Sequence, residues 1–133
     1  MSRLFTIAAA GAVLAMAAAL PASPYTHGQW EDFQRGIEAF QERAYEQAYR
    51  MWLPLAEAGI PQAQYNLGVI YTNGNGIPRD YVEAYKWFAI ALAAGHVEAA
   101  AALVTIAARM TKQQIAEAEV RVAAWHALHP RAL

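Results

Sequence analysis

The sequence predicts an all-α protein, an α-solenoid of about three antiparallel helical hairpins. Three observations carry that prediction. The chain repeats itself at an interval of 36 residues. Sliding Tyr45–Tyr71 forward matches Tyr45 with Tyr81, Ala48 with Ala84, Gly59 with Gly95, Leu67 with Leu103 and Ile70 with Ile106, and gives eight identities in 27 pairs. An Ala-rich composition alone gives about two, and such a period marks a unit that buries its apolar face only by stacking on its neighbours. Second, apolar residues recur at three and four, with no run of period two and no two-residue hairpin turn. Third, capping and breaking residues fall in phase with that period.

The elements follow in order. The first hairpin is 29–42 with 45–58; it carries Gly36 and Ala48, 12 residues apart, and closes at Gly59 in the place of a left-handed cap. Pro54 removes a bond to the Arg50 carbonyl and predicts a kink. The second hairpin is 61–73 with 81–94. Pro61 suits a first helical turn, Ala63, Leu67, Ile70 and Tyr71 form one stripe, and Tyr81, Ala84, Tyr85, Phe88, Ala91 and Leu92 form another. Between them Gly74-Asn75-Gly76-Ile77-Pro78-Arg79 turns the chain, and Asp80 with Glu83 reads as a capping box. The third hairpin is 97–109 with 112–128, entered after Gly95 and capped in its second half by Thr111 with Gln114. Gly68 to Ala84 spans 16 residues, so the central connection is about four longer than the first.

The first 22 residues read as a signal peptide. Arg3 supplies a positive start, Leu4–Leu20 is an uncharged run rich in Ala, and Pro21-Ala22-Ser23 offers a cleavage site. Residues 23–28 are then a flexible lead-in, 29–128 the repeat domain and 129–133 a tail. This places the protein outside the cytoplasm, secreted or periplasmic, with no membrane insertion after cleavage. An uncleaved anchor is the alternative, at the lower limit of spanning length. Absence of Cys excludes disulfides, thiol chemistry and thiolate metal sites. Nine basic side chains remain without Arg3, scattered singly among eleven acidic ones, which is no nucleic-acid footprint.

At this point the residues resemble a known family. Ala63-Gln-Tyr-Asn-Leu67-Gly68-Val-Ile-Tyr71, then Gly74-Asn-Gly76-Ile77-Pro-Arg-Asp80-Tyr, then Ala84-Tyr-Lys-Trp87 and Ala93-Ala94-Gly95, look like a Sel1-like repeat, the longer cousin of the tetratricopeptide repeat. Trp52, Leu55, Ala56 and Gly59 resemble the end of a preceding unit, and 110–118 resembles the closing helix of such arrays. Val104 and Ala107 depart from the pattern, standing where the family has Gly and Tyr. The resemblance implies a non-enzymatic adaptor or regulator that binds an unidentified protein or peptide. By similarity to tetratricopeptide grooves, the inner positions are Gln34, Gln41, Gln62, Tyr65, Asn66, Val69, Asn73, Thr105 and Arg109. Amides there suit an extended backbone, and Arg109 suits a carboxylate.

Chemistry beyond binding finds little support. The only Ser after residue 22 is Ser23, and no nucleophile and base are recognisable together. His126 and His129 have helical spacing for a metal pair but no evident third ligand, so neither a catalytic residue nor a metal or other cofactor is assigned. Glu117 and Glu119, two apart on a helix, point away from each other. An enzyme or enzyme subunit acting on cell-wall material, or a membrane-tethered scaffold, remains the alternative function.

Overall fold

The computed structural model describes residues 25–130, so the signal-peptide reading lies outside the described residues. Six helices follow one another: α1 (His27–Gln41), α2 (Tyr45–Glu57), α3 (Pro61–Asn73), α4 (Tyr81–Ala93), α5 (Ala99–Ala107) and α6 (Lys112–Leu128). The described residues contain no strand. Neighbours in sequence pack on one another from α1 to α5, and α6 packs on α4.

Local chemistry sets the boundaries. α1 starts at His27, inside the segment expected to be a flexible lead-in, because Thr26 and Gln29 cap it reciprocally. Thr111 and Gln114 do the same for α6. Asp80 accepts from the Glu83 N–H at 3.1 Å, but the Glu83 carboxylate turns to Lys86 and Arg121, so this cap is one-sided. Pro54 lies within α2, which continues past it to Glu57. Gly59 and Gly95 sit at φ +93° and +98°, each followed by a residue whose N–H reaches back to the last buried turn, Ile60 to Leu55 and His96 to Ala91. α1 ends in the same way through Ala44 and Ala39, yet the left-handed position there is held by Arg43 at φ 62°.

Two glycines determine how closely helices approach. A Cβ at Gly36 would stand 2.2 Å from Nε1 of Trp52, and one at Gly68 would stand 2.5 Å from the Phe88 ring. The rings come from the positions four residues after Ala48 and Ala84, both fully buried. Each of the first two hairpins therefore closes by laying an aromatic face on a bare backbone. Trp52 also donates to the Phe33 carbonyl at 3.2 Å, which fixes its ring across the pair.

The third pair of helices behaves differently. In the register of Gly68 and Ala84, its positions of closest approach are Val104 and Val120, and they are 74% and 68% exposed. Two branched side chains cannot occupy a gap dimensioned for hydrogen and methyl. α6 leaves α5 and lies on α4, where Ala118 is buried and Arg121 bonds Glu83 at 2.6 Å. Near its far end Trp125 meets Trp87 of α4 edge to face and reaches α2 by donating to Glu57 at 3.0 Å, and His129 stacks on Trp125 at 4.0 Å. The last hairpin is thus connected as the sequence predicts, and open.

The core divides into a larger cluster spanning α1 to α4 with Trp125, and a smaller one of Ala84, Phe88, Ala91, Ala99 and Ile106. Tyr71 packs against both, and its hydroxyl lies 3.0 Å from that of Tyr49. Buried Gln64 ties α3 to α2 by donating to the Ala56 carbonyl at 3.0 Å. Ile77 tucks against the larger cluster, and the Asp80 N–H closes the 74–79 loop onto the Tyr71 carbonyl.

Three outcomes follow from this packing. Gly68→Ala should destabilise by about 2 kcal/mol in urea unfolding, because overpacking outweighs the roughly 1 kcal/mol gained in helix propensity. Arg43→Gly should stabilise by about 1 kcal/mol in the same assay, since glycine occupies the left-handed region without the Cβ penalty. Burial, reinforced by the Tyr49 hydroxyl, raises the Tyr71 phenol well above its ordinary range. The unfolded chain loses that proton near pH 10 and the folded one at higher pH, so this contribution is complete below about pH 10 and falls as pH rises. Tyr71→Phe should flatten that alkaline decline when stability is compared at about pH 9 and pH 11.

Candidate partner-binding groove

The first helix of each hairpin lines one side of the array, and two cavities open there. One, of about 370 Å³, lies between α1 and α3, with Phe33, Ile37, Phe40 and Trp52 as its apolar wall and Gln41 and Asn66 at its edge. The other, of about 310 Å³, lies between α3 and α5, with Tyr65, Phe88, Ala102 and Ile106 as its wall. Thr72, Asn73, Thr105 and Arg109 edge the second cavity. Val69 borders both, so the two form consecutive stretches of one groove.

The glycines explain the floor. Trp52 and Phe88 belong to the second helices, α2 and α4, and reach the groove side by lying over Gly36 and Gly68. A larger residue at either glycine would wall the ring off. The groove is therefore more apolar and aromatic than the amide-rich lining expected from the sequence.

The expected positions divide into three groups. Tyr65, Val69, Asn73, Thr105 and Arg109 come together around the cavity between α3 and α5. Asn66 and Gln41, with Val69 again, border the neighbouring one. Gln62 is engaged at the N-terminal edge, where its Oε1 accepts from the Tyr25 hydroxyl at 2.7 Å, and Gln34 is half-buried on α1 and lines neither cavity. Sequence reasoning did not include Phe33, Ile37, Phe40, Ile106, Trp52 or Phe88 among the groove positions. The signal was available: a glycine on the first helix faces an aromatic placed four residues after a buried alanine on the second.

Polar capacity along the edge is uneven. The Thr72 and Thr105 hydroxyls donate to carbonyls of their own helices, Gly68 at 2.8 Å and Ala101 at 3.0 Å. Their protons are thus committed, whereas Asn66, Asn73 and Arg109 have no side-chain hydrogen bond or ion pair among the described residues. Tyr65 packs on Phe88 and on the His96 ring, at 5.4 and 4.5 Å between centroids, which fixes one side of the second cavity. The edge can offer amide donors and acceptors plus one guanidinium to a ligand whose apolar groups enter the cavities.

The remaining polar groups are used structurally. Glu117 and Glu119 line neither cavity of the groove and accept hydrogen bonds from Arg121 and from the Tyr85 hydroxyl, respectively. His129 places Nδ1 2.8 Å from the Trp125 carbonyl and Nε2 3.3 Å from Glu57. No group of three or more potential metal ligands occurs among the described residues.

Residues 61–96 match the family model of the Sel1 repeat. That segment is a Sel1 repeat. It coincides with α3, the 74–79 loop, α4 and the left-handed Gly95 that ends it, which is the hairpin whose closure depends on Gly68 and Phe88. The Sel1 match covers this hairpin and not the units on either side. Chitin synthase regulator SKT5 of Saccharomyces cerevisiae is 38% identical over 53 residues, which is 40% of this chain and 8% of that protein. No solved structure matches the chain. Sel1 repeats mediate protein–protein binding and are generally non-catalytic.

Proposed function

We propose that this is an exported, non-enzymatic Sel1-repeat protein that acts as an adaptor or regulator in the cell envelope. Its groove across α1, α3 and α5 takes an extended segment of a partner protein. The observation that carries this reading is the groove itself: an aromatic floor, amides along the edge and Arg109 without an ion-pair partner among the described residues. Apolar side chains of the partner enter the two cavities, while Asn66 and Asn73 bond its backbone. The charged, Ala-rich and small-residue pattern of the first 22 residues supports export. No helix of the described residues is long and apolar enough to cross a membrane. The relative whose name describes a synthase regulator fits the adaptor class, although the match covers a small part of it.

The test is crosslinking in the native envelope, followed by measurement of the captured partner with purified variants. Asn66→Ala with Asn73→Ala should weaken capture by about 1–3 kcal/mol, because each leaves a partner group without its hydrogen bond. Arg109→Ala should weaken it further, and more at low salt than at high salt. Melting of the variants should be nearly unchanged, as Asn73 and Arg109 are exposed. Undiminished capture by the triple variant would place the contact outside the groove.

A further inference from the structure

The open third hairpin leaves two helix faces without the partners that their counterparts have. On α5 and its C-cap that face is Ala100, Ala101, Val104 and Ala108, and on α6 it is Ala116, Val120, Ala123 and Ala127, all exposed and none charged. Val97 continues the α5 face at 71% exposed. Exposed helix faces in a water-soluble array ordinarily carry charge, and end units of repeat arrays ordinarily present a polar outer surface. The first described helix follows that rule: the exposed residues of α1 and its C-cap include Glu31, Arg35, Glu38 and Glu42.

We propose that the protein forms a two-fold dimer in which α6 of each copy packs on α5 of the other. Three features select a second copy as the occupant. Each copy presents both halves of the missing hairpin, so the exchange satisfies α5 and α6 at once and closes on itself. Neither face carries a charge that would meet its like, whereas end-to-end stacking onto α1 would bury four charged side chains against valines and alanines. Within one molecule α5 and α6 each pack on α4 and leave Val104 and Val120 exposed, whereas helices from two molecules are free to choose their own separation. The helices run about 14 Å and 25 Å, and two such pairs bury on the order of 1,200 Å² in total, at the lower edge of a specific interface. An interface of that size belongs with weak, reversible associations.

Val104 and Val120 stand at the midpoints of their helices, so substitutions there test the contact whichever way the helices run. Sedimentation of the purified protein from about 1 to 200 µM should show a monomer–dimer equilibrium. Val104→Lys and Val120→Glu should each weaken it about tenfold or more with melting retained, and mixing the two variants should restore association by pairing opposite charges across α5 and α6 of different copies. The chain lacks cysteine, so Val104→Cys combined with Val120→Cys gives a clean crosslink. Mild oxidation should yield a covalent dimer. A monomer throughout the concentration range, a disulfide within one chain, or a dimer indifferent to both charged variants would overturn the proposal.

Discussion

The approach of a helix backbone at Gly68 to the ring of Phe88 governs the rest of the molecule. The distance a Cβ would have, 2.5 Å, leaves room for hydrogen and nothing larger. The same contact recurs between Gly36 and Trp52. Because the ring fills space that a side chain would otherwise hold, it contributes to the core of the hairpin and also appears at the floor of the groove. One substitution class, glycine against aromatic, thereby links stability to the surface available for binding.

The two layers of the array follow from that contact. With rings laid over the first helices, α1, α3 and α5 face the groove, and α2, α4 and α6 form the other layer. The second layer is held by different forces. Trp87 and Trp125 meet edge to face, Glu83 gathers Lys86 and Arg121, and Glu57 accepts from Trp125. Glu83 is only 18% exposed, so its two cations compensate the cost of withdrawing a carboxylate from water. The His129 ring, with both nitrogens turned to oxygen atoms, closes the end of α6 against α2. α6 can forgo α5 because these contacts with α4 and α2 replace it.

The Sel1 match stops where the closest-approach rule is broken. Residues 61–96 contain the closed hairpin, and the next unit replaces Gly and Ala with Val104 and Val120. Exposure of both valines is the physical result. The substitutions are harmless to the connection between α5 and α6, since the turn and the Thr111 cap remain, but they remove the pairing.

Local signals by themselves determined the helices: Thr111 and Gln114, Pro61, Gly59 and Gly95 lie at the termini they predict, and the 36-residue repeat gave the hairpin order. These features involve atoms within about four residues, so they are legible in a string of letters. Five of the expected groove positions lie together for the same reason, because helical phase determines which face a residue occupies. Tertiary structure alone decided the aromatic floor, the attachment of α6 to α4 and the open third pair. Each depends on how much space remains between two backbones, and that distance is set by side chains from different helices acting together. A glycine in the sequence shows that close approach is permitted; only the folded chain shows which ring takes the space.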